Sequence, residues 1–326
     1  MNLLQRILKT FSAPNLPHYA CAFASSHISM AQVLRHHGHR HIERSSFLPV
    51  SSELFRPSFS GINIPNVSAL ADAVFSLGKG IGLGREKLWA VTLPDEVTRP
   101  HIITLHSSVT NEPDVIEDML VLRIERLVGE SIDKLRVSYT PLSPVAGQKR
   151  FLVSVAVEAV MREYERLFDE LGWHVGLIWP TSLAEAVWLN RPNALPNQIL
   201  LSSTPNEMTV LILHDQDPVL LRTQTFEETE FGDTLLRLLL FYRDRAGEII
   251  PGVTMADNPL DSTVFEVLAL GDQSHTKTIR DCIQEVFGAS PVIVSSDTLG
   301  LPVANLMTDF AQIAAAAGLA SLSLPA

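Results

Sequence analysis

Apolar residues alternate or run together over 19–24, 28–35 and 42–50, with β-branched and aromatic members, and predict three strands joined by tight turns. The breaks are "SS" at 25–26 and "HHGHRH" at 36–41. A helix follows from Asn66, an N-cap residue: Val67, Leu70, Ala71, Val74 and Leu77 recur at helical spacing until Gly78 stops it. "KLWAVTLP" at 87–94 reads as a fourth strand. Between about 95 and 170 the pattern changes to an inserted unit with a strand at His101–Leu105, a helix from Pro113, strands at 135–140 and 151–157, and a second helix. In that helix Val157, Val160, Met161, Tyr164, Leu167, Phe168 and Leu171 form one apolar stripe, Glu158, Arg162, Glu163, Arg166 and Glu170 face water, and Gly172 ends it. Pro141, Pro144 and Gly147 predict an exposed loop within the insert.

"WHVGLIW" (173–179) reads as a strand, and Pro180 sits in the first turn of a helix running to about Leu189. "RPNALPN" at 191–197 is a linker. Beyond it the opening plan returns: "QILLSS", a small polar turn, "MTVLILHD" and "PVLLRTQTF" make a second set of three strands, followed by a helix from Phe231. That helix is apolar nearly all round and is expected to be sandwiched. The chain continues with a strand "VFEVLAL", a helix through Ile279, Ile283 and Phe287, a strand "PVIVSS", and a small-residue helix at about 308–320.

At 326 residues and 46% hydrophobic content, the chain has material for two domains with buried cores. A net charge of −11 gives no cationic field for a polyphosphate backbone, which argues against nucleic acid as a partner. Two cysteines, Cys21 and Cys282, are too few for a disulfide framework or a cysteine-rich zinc site, and they point to a reduced, cytoplasmic protein. The apolar run "TLLRLLLFY" at 234–242 falls short of the roughly 20 residues of a membrane span. The opening "MNLLQRILKTF" is amphipathic, and both a contact with a membrane surface or partner and a frayed leader before Pro14 and Pro17 remain open.

Candidate chemistry is sparse. His36, His37, His39 and His41 are dense enough to bind zinc or nickel, but Gly38 puts them in a turn where alternate residues point to opposite sides, and Glu43 is the one acid nearby. The expectation is a solvated turn and no metal. "GKGIGLGREK" at 78–87 has neither phosphate-loop nor dinucleotide spacing and reads as a helix-capping loop. Glu227, Glu228 and Glu230 precede a helix start, where negative charge is favourable. Asp215, Gln216, Asp217 and Pro218 read as a plain hairpin turn. No Ser, His and Asp set has a nucleophile-elbow context, and no catalytic residue is assigned.

Two copies of a strand-strand-strand-helix plan resemble the actin-like ATPase superfamily, and the order and spacing are similar to the PilM family of type IV pilus assembly proteins and the related cytoplasmic part of the type II secretion L protein. The resemblance runs through "FASSHISMAQV", "LWAVTLP", "ERLVGESIDKLRVSY", "VSVAVEAVMREYERLFDELGWHV", "WPTSLAEAVWL", "VLILHDQDPVLLRTQTFEETEFGDTL" and "ASPVIVSSDTLGL". It implies an α/β, actin-like (ribonuclease H-like) duplicated βββαβα fold of two lobes with a small α+β insert in the first. The boundaries would be an amphipathic segment at 1–16, a first lobe at 17–94 and 171–195 completed by the helix at 308–320, the insert at 95–170, and a second lobe at 196–307.

In that superfamily each hairpin is entered by an Asp, an apolar residue and a Gly, because glycine lets N–H groups approach phosphate and the carboxylate positions metal or water. By resemblance the first set falls on Ala22, Phe23 and Ala24, followed by Ser25 and Ser26, with Ser29 on the next strand. The second falls on Ser202, Ser203 and Thr204, and the adenosine end on Gly271 and Asp272. Without either Asp, magnesium lacks a ligand and ATP turnover by the family route is not expected. The hydroxyls leave metal-free ATP binding open, so the cradle is expected to be vestigial and no cofactor is assigned. The resemblance further implies a cytoplasmic scaffold, peripheral at the inner membrane, that docks the cytoplasmic N-terminal peptide of a PilN-like partner beside the insert. Self-assembly stays open. The alternatives are an ATP-binding switch and, more remotely, a small-molecule kinase.

Overall fold

The computed structural model describes residues 16–36, 39–106, 112–251, 260–301 and 309–324. The expected amphipathic segment before Leu16, and His37 and Gly38 of the histidine turn, lie outside them. In chain order, β1 (Tyr19–Phe23), β2 (His27–His36) and β3 (His39–Pro49) precede α1 (Val67–Gly80), β4 (Leu88–Leu93) and the short α2 (Asp95–Thr98). Then come β5 (Pro100–Leu105), α3 (Pro113–Val128), β6 (Leu135–Val145), β7 (Gln148–Val157), α4 (Glu158–Glu170), β8 (His174–Pro180) and α5 (Thr181–Glu185). The remainder is β9 (Asn197–Ser203), β10 (Glu207–His214), β11 (Asp217–Thr225), α6 (Phe231–Asp244), the short α7 (Ala246–Ile249), β12 (Glu266–Leu270), α8 (Thr276–Phe287), β13 (Val292–Val294) and α9 (Phe310–Ser321).

These elements form two compact units. The first comprises the described residues of Ser12–Arg99, Ala156–Trp188 and Ser295–Ala326, and the second those of Pro100–Val155 and Leu189–Val294. The segment read from the sequence as an insert at 95–170 therefore divides: α4 packs into the core of the first unit, while β5, β6 and β7 form a three-stranded sheet within the second. The duplication is present as two five-stranded sheets of the same plan, β3-β2-β1-β4-β8 and β11-β10-β9-β12-β13, each with an antiparallel half and a parallel half.

In the first unit the period-2 alternation of the strands sorts residues by size. Cys21, Phe23, Ile28, Met30, Trp89 and Val91 point into a core closed by α1 and α4, where the rings of Trp89 and Trp173 stack 4.7 Å apart. Ala20, Ala22, Ser29, Ala31, Ala90 and Thr92 take the other face, and the alanine-rich α9 lies across it. Small residues on both surfaces let the backbones approach closely, and Gly318 sits so near Ala184 that a Cβ there would strike its carbonyl. Trp188 Nε1 donates to the Ala314 carbonyl at 2.8 Å and fixes the helix lengthwise. Asn66 caps α1 as expected, its side chain accepting from the Ala69 N–H. The helix nevertheless passes Gly78 and ends at Gly80, because Gly78 serves as a contact for the Trp173 ring rather than as a stop. Pro180 stands at the N-cap of α5, which ends at Glu185 and passes into a 3₁₀ turn at Ala186–Leu189.

The core of the second unit gathers Ile199, Met208, Val210, Ile212, Leu239, Tyr242, Phe265 and Phe287 between its sheet and α6 and α8. Contrary to the expectation of a sandwiched helix, α6 buries one face through Phe231, Leu235, Leu239 and Tyr242 and exposes Phe241. Arg222 and Arg245 lie 5.9 and 5.3 Å from the Phe241 ring, and this cationic cover lets an aromatic side chain stand at the surface. The expected loop at Pro141–Gly147 is instead the end of a hairpin. β6 continues to Val145, and Ala146 (φ 48°) and Gly147 (φ 76°) make a two-residue turn with both positions left-handed. The prolines are tolerated because β6 is an edge strand.

Candidate functional site

The turns that correspond to a nucleotide cradle have the same backbone construction in both units. In the β1–β2 turn the Ala24 N–H donates to the His27 carbonyl at 2.8 Å, and the Val50 N–H to the Ser26 carbonyl at 3.0 Å. In the β9–β10 turn the Thr204 N–H donates to the Glu207 carbonyl at 2.8 Å, and the Phe226 N–H to the Asn206 carbonyl at 2.9 Å. Residue for residue, Ala22 answers to Ser202 and Ala24 to Thr204. The shared geometry arises because each hairpin must cross from the central strand to its neighbour on the edge side within the same sheet plan.

The first turn holds little polar chemistry. Ala22 is buried, paired with Ser29 on β2 and Thr92 on β4, both also buried. The Thr92 hydroxyl has no hydrogen-bond partner among the described residues. Ala24 is half-buried, and Ser25 and Ser26 are exposed. His27 Nε2 lies 3.0 Å from the Gln312 carbonyl on α9, so this nitrogen carries the proton, and Nδ1, 3.1 Å from Ser26 Oγ, accepts from the hydroxyl. Burial pushes the imidazole below its ordinary pKa, against the opposing effect of the Gln312 hydrogen bond.

In the second turn the Ser203 and Thr204 hydroxyls are engaged with their own neighbours. Ser203 Oγ donates to the Leu270 carbonyl at 3.3 Å, and Thr204 Oγ1 accepts the Glu207 N–H at 3.2 Å. Ser202 pairs with Leu270 at the end of β12 and with Thr209 on β10. Gly271 (φ +127°) packs against Ser203, whose hydroxyl and carbonyl occupy the space a Cβ would need. Asp272 caps the 3₁₀ turn at Gln273–His275 by accepting the Ser274 N–H at 2.8 Å, and that hydrogen bond holds its carboxyl below the usual range. The structure thus brings Ser202, Ser203, Thr204 and Gly271 together at one end of one sheet, places Asp272 beside them in a capping role, and keeps Ala22, Ala24, Ser25 and Ser26 as a set in the other unit. Neither Ala22 nor Ser202 supplies the carboxylate that a magnesium site is built around.

Other residues stand apart from their sequence reading. "GKGIGLGREK" is a helix end: the Gly82 N–H reaches the Lys79 carbonyl and the Leu83 N–H the Gly78 carbonyl. Asp217 does more than form a turn. Its Oδ2 accepts the Ser143 N–H at 3.2 Å and lies 3.6 Å from Nη1 of Arg150, which is 3% exposed and also donates to the carbonyls of Ser143 and Pro218. This pair ties the three-stranded sheet to β11. The signal in the sequence was a lone arginine at the start of an otherwise apolar strand, "RFLVSVAV", although its partner was not identifiable without coordinates.

No protein-family model matches the chain, and no curated protein matches it by sequence. Solved structures do. A chain of the PilM-PilN type IV pilus biogenesis complex superposes with a TM-score of 0.70 over 96% of this chain and 100% of its own, at 12% identity. A Bacteroides thetaiotaomicron protein with an actin-like ATPase fold and unknown function matches with a TM-score of 0.50 over 91% of this chain and 95% of its own, at 9% identity. The strand order, its repetition and the superposition over nearly all of the chain give one conclusion: this chain has the actin-like ATPase fold, which the PilM-PilN complex chain shares.

Proposed function

We propose that this chain is a cytoplasmic actin-like scaffold of type IV pilus or related secretion machinery, held at the inner membrane by docking the cytoplasmic peptide of a PilN-like partner. The observation that carries the reading is the superposition on a chain of the PilM-PilN complex over 96% of this chain and 100% of that one. The composition of the cradle turns agrees with it. Alanine at 22 and 24, serine at 202, hydroxyls at 203 and 204 that bond to their own neighbours, and a capping role for Asp272 leave magnesium and phosphate without charged ligands. No helix among the described residues is long and apolar enough to cross a membrane.

The test is a fluorescence-anisotropy titration of the chain with the cytoplasmic N-terminal peptide of a PilN-like inner-membrane protein. Saturable binding is expected, together with a melting temperature unchanged by millimolar magnesium-ATP. Absence of peptide binding with a nucleotide-dependent rise in melting temperature would replace the scaffold with a nucleotide switch.

A further inference from the structure

We propose that His36, His41 and Glu43 form a binding site for a divalent transition metal, zinc foremost, on the β2–β3 hairpin. Read as a sequence, the histidines of this turn alternate and so point to opposite sides. The strand pairing changes that. His36 lies opposite His39, and Leu34 opposite His41, which puts His36 and His41 on one face of the ribbon. The register then slips: Val33 pairs with Ile42 and Gln32 with Arg44, which leaves Glu43 as the extra residue of a β-bulge. A bulge bends its strand and re-aims a side chain, and here it brings the Glu43 carboxylate to the two imidazoles.

The spacing suits a metal better than a hydrogen bond. Glu43 Oε2 lies 3.5 Å from His36 Nε2 and 3.6 Å from His41 Nδ1, and the three donor atoms all lie within 4.8 Å of one another. Hydrogen bonds from nitrogen to carboxylate run at about 2.7–2.9 Å. Zinc held at about 2.0–2.1 Å from each donor in a tetrahedron separates the donors by about 3.4 Å. His41 Nδ1 is buried and has no hydrogen-bond partner among the described residues, a cost that a bound cation would remove. The His36 and His41 rings meet edge to face at 5.2 Å, so neither blocks the other's donor atom.

Two imidazoles and one carboxylate are a donor set for zinc and its neighbours, not for calcium or magnesium, which call for oxygen cages. The cationic side chains of the hairpin are directed elsewhere. Arg35 and Arg40 pair with each other one residue out of phase with the imidazoles, on the reverse face. Arg44 Nη1 donates to the carbonyls of Ile81 and Gly82. His36 and Glu43 are exposed, so the ion enters without opening the fold and water completes the tetrahedron.

Equilibrium dialysis and calorimetry with Zn²⁺ on the full chain, free of any affinity tag, test the assignment, with Co²⁺ as a spectroscopic probe. One zinc per chain is expected, with the visible d–d absorption of tetrahedral cobalt. His36→Ala, His41→Ala and Glu43→Gln should each weaken binding about tenfold or more, since losing a ligand costs at least as much as losing a supporting residue. His174→Ala removes an exposed histidine that lies 3.7 Å from a single acid, Asp169, and should leave zinc binding unchanged. Absence of saturable zinc binding, or equal affinity in the triple variant and the parent, would overturn the proposal. All three ligands sit at or near the surface, and far-UV circular dichroism verifies that the variants are folded.

Discussion

Ala22 marks the point where an acid would enter a phosphate cradle, and its surroundings make that acid costly. Its methyl group lies on the small-residue face with Ala20, Ala31 and Thr92, beneath α9. Ala22→Asp would bury a carboxylate without a cation, and the chain should lose about 3 kcal/mol of unfolding free energy, measured by urea denaturation. An unchanged urea midpoint would show that the position opens to solvent. His27 gives a second residue-scale expectation. Its folded-state pKa lies below its ordinary value because the ring is buried, so the neutral form is the one the fold selects. The associated stability is present above the unfolded-state pKa of about 6.5 and is lost as pH falls toward the lower folded value. Acidification from neutral should lower the melting temperature, and His27→Gln should flatten that part of the profile. The missing acids at Ala22 and Ser202 were legible as residues. Their burial, and the Gln312 carbonyl that fixes His27, depend on a helix from the far end of the sequence, and no local pattern announces it.

Elements were legible where one periodicity settled their partners. The alternating strands and the capped helix starting at Asn66 emerged close to their expected limits. The misreadings came from residues whose usual meaning was overridden by packing. Gly78 stays helical because it faces Trp173, and Pro141 and Pro144 sit in a strand because that strand is at an edge. The stripe on α4 showed that the helix is buried on one side but not which sheet it covers. For α9 the alanine-rich sequence is itself the design, since close approach needs small side chains on both surfaces. Gly318→Val should therefore cost about 1–3 kcal/mol through overpacking against the Ala184 carbonyl, readable as a drop in thermal midpoint. A variant of equal stability would mean that α9 slides to accommodate the methyls.

Among the described residues two hydrophobic cores stand out, each closed within its own unit. All four tryptophans, Trp89, Trp173, Trp179 and Trp188, belong to the first unit, so their emission reports on that unit. Arg150→Ala removes the buried guanidinium that faces the half-buried Asp217 in the second unit and should destabilise that unit by about 3 kcal/mol. Far-UV circular dichroism should register the earlier transition while tryptophan emission holds its midpoint. Coincident shifts in both signals would show that the units melt together. The duplication was legible because a strand-turn-strand plan occurs twice, whereas the allegiance of the segment between the copies depends on contacts such as Arg150 with Asp217 that span distant stretches of sequence. The place of α9 has a consequence for how the polypeptide is made. The second unit has all its parts once Val294 has been added, but the first waits for the residues up to Ser321. On the ribosome the earlier-synthesised half is thus the later one to finish, and until then its alanine-lined sheet stands bare to chaperones.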